Sequence, residues 1–506
     1  MRIEVTIQEK KQHINVTQNS TILEALVNAG IHAIAAPCGG RGKCGKCKVT
    51  VEGMGEVPSC TTSVQDGMKI TIGPQLLQEK KAKIAEEGNC SHYPPEEKEG
   101  LYAACDIGTT TVVCHLLDGK TGEKLATVSA ANAQRGFGAD VISRIHAADA
   151  GHLALLQTQI TGQIAQMLRE LKEQAGRREE IARLAVVGNT VMSHLFAGIS
   201  PASIGVTPFM PEEYFGKEYS GQELGLADCK KVYIAPAVSG FVGGDITADL
   251  LSVLPQEDFE VEETLLLLDV GTNGEMAVGT KQNMYCCATA VGSAFEGAEM
   301  AMGMPASEGA ISHVWLDQRR IRTEVIGDQP ACGICGSGLI DALAVFVSMG
   351  VLEPSGHLKA KGEVSVAYRR YLGEYEGQAC VWLTPEVCLT QEDIHGLQLA
   401  KAAFAAGMQI LLRESNYTYE KLHRVILAGG FGSYLNKDSA AAIGLIPKEL
   451  LSITASVGNA AGEGAVSAAL SQKARRQLFN LQKKMHYIEL STHPEFADIY
   501  MEQMSF

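Results

Sequence analysis

Two stretches of the chain repeat one pattern, with their aspartates, Asp106 and Asp269, 163 residues apart. "LYAACDIGTTTVVCHLLD" begins at Leu101 and "LLLLDVGTNGEMAVG" at Leu265. Each reads as an apolar strand, an aspartate, a D-x-G-T turn and a second strand. Repetition at that distance predicts a duplicated fold with two similar halves. The turn suits a nucleotide phosphate: Gly and Thr in a tight hairpin present N–H and hydroxyl donors to phosphate oxygens, and the aspartate ahead of them orients water around Mg²⁺. One D-x-G-T is a weak signal; two, each after an apolar strand, are a strong one. The candidates are Asp106, Gly108, Thr109, Thr110 and Thr111 in the first turn, and Asp269, Gly271, Thr272, Asn273, Gly274 and Glu275 in the second.

A third element, "RVILAGGFGSYLNKDSAAAIGLIP" (424–447), runs a strand into Gly429, Gly430, Phe431 and Gly432. Glycines there let the backbone approach a flat ligand such as adenine with its ribose. Alone, GGFG reads as a plain strand-to-helix turn; beside the other two it favours the nucleotide. Glu275 directly follows the second turn and is an acidic candidate for handling the attacking water. Glu296 and Glu299, in "SAFEGAEM", fit solvated or capping carboxylates better. The histidines form no metal-binding cluster, and Met300, Met302 and Met304 read as packing residues.

The other chemical feature is "PCGGRGKCGKCKV" with "VPSC" after it: Cys38, Cys44, Cys47 and Cys60, spaced C-x5-C-x2-C-x12-C. Four thiolates can hold a 2Fe–2S cluster, two per iron. Glycines 39, 40, 42 and 45 permit positive φ, and Arg41, Lys43, Lys46 and Lys48 offset the charge of a thiolate-ligated cluster. Structural zinc favours paired C-x2–4-C units; here there is one, so the spacing favours iron–sulfur. Around the loop, "RIEVTI", "QHINVTQ", "KCKVTVEG" and "MKITIG" alternate like strands, and "STILEALVNAGI" has helical spacing after a Ser/Thr cap. Cys332 and Cys335 form a further C-x-x-C, without two more ligands in evidence. The remaining cysteines read as small buried hydrophobes.

A formal charge of −15 argues against nucleic acid as partner, since phosphate binding needs surplus Lys and Arg. The longest apolar runs are too short to span a bilayer, and "MRIEVTIQEKKQ" has no signal-peptide core, which points to the cytoplasm. Residues 77–100 are charged and contain a Pro-Pro pair, as an exposed tether would be, with Cys90 incidental to it.

Residues 1 to about 75 resemble the β-grasp 2Fe–2S ferredoxins, and their x5 first gap resembles the adrenodoxin type. The trio of glycine motifs resembles the superfamily of acetate kinases, sugar kinases, heat-shock chaperones and actin, with its ribonuclease H-like duplicated ATPase (ASKHA) fold. In that frame "VVGNTVMSHLF" (186–196) and "VGNAAGEGAVSAAL" (457–470) look like the helices that connect the halves and carry the hinge. The expected architecture is therefore multidomain α+β and α/β: a ferredoxin domain at 1–76, a linker at 77–100, and ATPase lobes at 101–260 and 261–506.

The combination, with "NAQRGFGADVISRI" (132–145), "PAVSGFVGGDITADLL" (236–251), "VGSAFEGAEMAMGMPASEGAI" (291–311), "CGICGSGLID" (332–341) and "DIHGLQLAKAAFAAG" (393–407), resembles the reductive activators of corrinoid proteins, including those serving O-demethylases and other methyltransferase systems. The resemblance implies a 2Fe–2S cluster, ATP and Mg²⁺, an ATP-dependent electron transfer that returns Co(II) to Co(I), a corrinoid protein as acceptor, an upstream low-potential donor and a homodimer. Members of that family can carry an extra segment between ferredoxin and ATPase. This chain runs straight on, which puts contacts assigned to such a segment in doubt. Alternatives are an ATP-dependent activator of a radical or dehydratase enzyme, for which Cys332 and Cys335 speak, a ferredoxin-fused small-molecule kinase, and a ferredoxin whose nucleotide region only regulates docking.

Overall fold

The computed structural model describes residues 1–7, 10–31, 34, 36, 40, 42, 45–73, 88, 90, 93–96, 99–254, 263–297, 300–432 and 434–506. Cys38, Cys44, Gly39, Arg41, Lys43, Glu299 and the side chain of Glu296 lie outside the described residues. The N-terminal unit is a five-stranded sheet ordered β2-β1-β5-β3-β4, from β1 (Arg2–Ile7), β2 (Lys10–Asn15), β3 (Lys48–Val51), β4 (Gly55–Pro58) and β5 (Lys69–Ile72). Alternation puts Ile3, Val5, Val49, Val51, Ile70 and Ile72 inside. The helix Ile22–Asn28 covers that face with Ile22, Leu23, Leu26 and Val27, and opens with a capping box between Thr21 and Glu24. The sequence reading found four of these strands; β4, a short Gly-Glu-Val-Pro edge, has no alternation to read.

Two six-stranded sheets make up the rest. The first uses β6 (Leu101–Ile107), β7 (Thr111–Asp118), β8 (Lys124–Ala131), β9 (Ile181–Gly188), β10 (Lys217–Ser220) and β11 (Cys229–Ile234), ordered β10-β11-β9-β6-β7-β8. The second starts with β12 (Leu265–Val270), β13 (Gly274–Thr280) and β14 (Asn283–Thr289). Two small sheets interrupt it: β15 (Ala310–Asp317), β16 (Arg320–Val325) and β17 (Gly333–Ile334), then β18 (Leu372–Tyr375), β19 (Gln378–Trp382) and β20 (Cys388–Thr390). It resumes with β21 (Arg424–Ala428), β22 (Thr454–Gly458) and β23 (Met485–Tyr487), ordered β22-β21-β12-β13-β14-β23. In both sheets a hairpin and a third antiparallel strand lie on one side of the lead strand and two parallel strands on the other. The halves thus share one topology, as the repeated D-x-G-T pattern implied. Lead strands β6 and β12 are apolar almost throughout because both faces of the sheets are covered.

Between the sheets lie the helices Gly244–Val253 and Ala460–Leu470, in one core with Ala104, Val187, Leu267 and Ala428. Their crossing is close because Gly464 has no Cβ: one would run into the carbonyl oxygen of Ala248. The pairing corrects one expectation. The helix Thr190–Ala197, read as a connector of the halves, packs in the outer core of the first lobe with Leu156, Ile160 and Ile164. Helix Gly244–Val253 takes its place, because its small, Gly-led start fits against an Ala-rich partner.

Part of the presumed tether is also held. Gly88 N–H donates to Glu463 Oε1 (2.7 Å), Tyr93 N–H to Ser467 Oγ (3.2 Å) and Glu96 N–H to the Leu470 carbonyl (3.1 Å), so these residues run along helix Ala460–Leu470. Tyr93 is buried. The N-terminal unit rests on both lobes. Phe137 and Leu155 of the first pack against its core, a Cβ on Gly136 would stand 3.4 Å from Val27, and Lys46 Nζ donates to the Met300 carbonyl of the second (3.3 Å). No helix among the described residues is long and apolar enough to cross a membrane.

Candidate functional site

The lead strands end side by side at a cleft of about 340 Å³ between the lobes. Asp106, Gly108, Thr109, Thr110 and Thr111 line it from one side, and Asp269, Gly271, Thr272, Asn273 and Glu275 from the other. The two turns meet, with Thr110 Oγ1 and Thr272 Oγ1 3.2 Å apart. Gly429 and Gly430 close a third wall. Two predicted members fall elsewhere. Gly274 is packed so tightly under Phe404 and Thr289 that a side chain has no room there, and Gly432 lies beside Leu427 at ordinary contact distance. Cys335 reaches the cleft wall, while Cys332 is exposed, and each thiol goes to its own backbone carbonyl, Ile311 and Gly309.

Gly429 has φ +83°, and a Cβ on it would collide with Asp269 Oδ1. Gly429→Ala is therefore expected to cost roughly 1–3 kcal/mol in backbone strain and to push Asp269 out of place. Thermal melts and nucleotide titration of the variant check both.

The cleft holds two carboxylates that the sequence reading missed, Asp245 and Asp249, both from helix Gly244–Val253. "GGDITADLL" looks like an ordinary acidic first helical turn, and nothing local shows that its i and i+4 carboxylates face β12 across the lobes. Removal from bulk water raises all five acids. Asp106 is pushed up to about 7, against the opposing hydrogen bond from Asn459 and with help from Asp269. Asp245 also reaches about 7, by burial and then by repulsion from Asp269, and Asp269 about 6. Asp249 and Glu275 are likewise raised, by burial and then by repulsion from Asp245 and Asp269. Asp249 Oδ1 and Oδ2 are buried without a hydrogen-bond donor among the described residues, although the side chain lies against Asp269. Two carboxylates so placed need a proton or a cation between them.

Phosphate is catered for as well. The helices Thr190–Ala197, Gly244–Val253, Gly336–Met349 and Ala460–Leu470 all begin at the cleft, through Asn189, Asp245, Gly336 and Asn459. Their N-terminal N–H groups and dipoles favour an anion. Anion-seeking backbone beside cation-seeking carboxylates fits a metal–phosphate pair. No cluster of three or more His, Cys, Asp or Glu among the described residues forms a ready-made metal cage. That suits Mg²⁺, which keeps several waters and takes the rest of its shell from phosphate.

A pH dependence follows. Acids with raised folded pKa values hold protons more tightly folded than unfolded, so stability falls as pH climbs from about 4 through 6 to 7. Protein stripped of Mg²⁺ and nucleotide is expected to melt higher at pH 6 than at pH 7.5, and saturation with both to flatten the trend. Melting curves at the two pH values decide it.

In the N-terminal unit Cys47 and Cys60 bring their Sγ atoms to 3.3 Å, both buried. Ser59 N–H donates to the Cys47 carbonyl (2.9 Å) and Leu23 N–H to the Ser59 carbonyl, which fixes the two ligand segments on each other. Gly40, Gly42 and Gly45 have φ of +77°, +73° and +63°, the wrapping geometry expected of the loop. The Ser59 hydroxyl is fully buried without a hydrogen-bond partner among the described residues. Paired thiols, left-handed glycines and a spare donor fit a thiolate-held cluster. Lys46, read as charge balance, also reaches the Met300 carbonyl.

Comparison with known proteins agrees with this division. A 2Fe-2S iron-sulfur cluster binding domain matches residues 2–73, the RACo middle region 101–255, and the C-terminal domain of RACo, described as the ASKHA domain, 263–506. "Corrinoid activation enzyme RamQ" of Eubacterium limosum is 30% identical over 98% of both chains. "[Co(II) methylated amine-specific corrinoid protein] reductase" of Methanosarcina barkeri is 25% identical over 80% of this chain and 76% of its own. A solved "Reductive activator for corrinoid,iron-sulfur protein" is 28% identical, with a TM-score of 0.73 over 100% of this chain and 98% of that one.

Proposed function

The chain belongs to the RACo-type family of corrinoid activators, and from that premise we propose that it is an ATP-dependent reductive activase that returns the Co(II) of a corrinoid protein to Co(I). The observation that carries this reading is one cleft uniting both D-x-G-T turns, the Gly429–Gly430 wall and five carboxylates, in a chain whose first domain pairs two thiols.

The bound groups would supply the redox and charge chemistry: a 2Fe–2S centre carries one electron at a potential set by its ligands and surroundings, and Mg²⁺ neutralises phosphate charge. The residues do the rest. Gly108, Thr109, Thr110, Gly271 and Thr272 hold the phosphates by N–H and hydroxyl. Asp269 and Asp249 take up the cationic charge, and Asp106 orients water with Asn459 behind it. Asp245, pushed up to about 7, and Glu275, raised by burial and by repulsion from Asp245 and Asp269, accept the proton of the attacking water. Such hydrolysis is mostly positioning and charge stabilisation. ATP helps reduction only through differential binding: the nucleotide state must favour the arrangement in which the electron passes. For one electron, each 59 mV of uphill potential is tenfold in equilibrium, about 1.4 kcal/mol.

This reading includes a low-potential donor, a homodimeric assembly and a cytoplasmic setting. All three are carried by the resemblance and the sequence, and sedimentation tests the second. The central test is anaerobic Co(I) formation by the reconstituted protein with a corrinoid protein, followed in the visible spectrum. ATP is expected to raise its rate and extent. Full reduction without ATP would leave the cleft a regulator only.

A further inference from the structure

The segment 132–144 belongs to no function assigned so far, yet it grips the first phosphate turn from behind. Asn132 Nδ2 donates to the Gly108 carbonyl (2.8 Å), Arg144 Nη2 to that of Thr109 (2.5 Å), and Asn132 N–H to that of Thr110 (2.8 Å). With three successive carbonyls engaged on that side, the turn offers its N–H groups and hydroxyls to the cleft. Arg144 is fully buried and also donates to the Gly138 carbonyl (3.2 Å) and contacts Met192 Sδ (3.0 Å). Met192 lies in the helix whose cap, Asn189, donates to Thr109 Oγ1 (3.0 Å).

The same segment carries the docked N-terminal unit. Gly136 lies under Val27, and Phe137 packs against that unit's core. On the other lobe Lys46, next to Cys47, donates to Met300 in a stretch whose Phe295, Pro305 and Ala306 line the cleft. One small domain thus touches both cleft-forming segments.

We propose that Arg144 is a positioning residue that couples docking of the cluster domain to the set of the first phosphate turn, so that docking strengthens nucleotide binding. The proposal rests on the functional reading above. Undocking takes Val27 off Gly136 and leaves Phe137 only its contacts with its own lobe and His152, the segment relaxes, and the three carbonyls lose their fixed backing. By linkage, nucleotide then strengthens docking by the same factor, and release of product frees the cluster domain for its acceptor.

The test is the affinity of the full-length, cluster-loaded chain for a non-hydrolysable ATP analogue with Mg²⁺, by calorimetry. The variants are Phe137→Asp, which lies outside the cleft, Arg144→Lys and the double. Each single change is expected to weaken binding about five- to tenfold, and the double to be no weaker than the worse single, because both break one linkage. The visible circular dichroism of the cluster is expected to shift on nucleotide addition in wild type and in neither variant. A Phe137→Asp affinity within twofold of wild type, or multiplying effects in the double, overturns the coupling. Should Arg144→Lys not fold, Lys46→Gln replaces it, with weakening expected and unchanged affinity counting against the proposal. A wild type that binds no nucleotide overturns the functional reading and this inference together. A wild type that binds, with Phe137→Asp unchanged, overturns this inference alone.

Discussion

Asp269→Asn is expected to cut ATP turnover, and with it ATP-stimulated Co(I) formation, on the order of 10²–10³-fold. Asp269 ends the lead strand of the second lobe, lies against Asp249 and raises the pKa values of Asp106, Asp245, Asp249 and Glu275. The amide keeps the shape and removes the charge, so the cation that accompanies the phosphates loses its anchor at the centre of the site. The same change relieves repulsion. The metal-free variant is therefore expected to melt higher than wild type while turning over far less, the trade between stability and activity seen where like charges are crowded for function. Turnover and melting temperature together separate this from misfolding. Wild-type turnover in the variant removes Asp269 from the mechanism.

Cys60→Ser is expected to abolish Co(II) reduction, by at least 10²-fold, while ATP hydrolysis survives within a few-fold. Cys60 is buried beside Cys47 at 3.3 Å and joined to it through the Ser59 backbone, so the loss of one thiolate takes away a ligand that no neighbour can replace. Anaerobic reconstitution followed by iron and sulfide analysis and electron paramagnetic resonance is the check. Wild type should give the signal of a reduced 2Fe–2S centre and the variant none. Zinc in place of iron and sulfide in wild-type protein would sink the assignment.

How much of this was legible in the chain depended on distance. The β-grasp strands and the paired D-x-G-T turns could be read because each signal is local in the chain: alternation, a turn, a cysteine spacing. Asp245 and Asp249 could not, since their meaning comes from facing a strand that follows in the chain and belongs to the other lobe. Asn132 and Arg144 stood in a motif quoted for its resemblance, but their work is done on Gly108 to Thr110, upstream in another element. Gly274 shows the reverse case. A glycine inside a phosphate motif was read as lining the nucleotide, and the space beside its Cα is taken by Phe404 and Thr289. Helix Thr190–Ala197 was misplaced for a similar reason, because an apolar helix does not announce which of two cores it joins.

The hold of helix Ala460–Leu470 on Gly88, Tyr93 and Glu96 gives the electron carrier a mooring point. The stretch from Gly73 to Gly88 can span at most about 50 Å, measured from the seam of the lobes and not from the surface where the ATPase begins. A corrinoid met farther out than that radius plus the carrier's own width stays out of reach, however well it binds elsewhere. Removing residues between Gly73 and Gly88 is then a way to choose which acceptors are served.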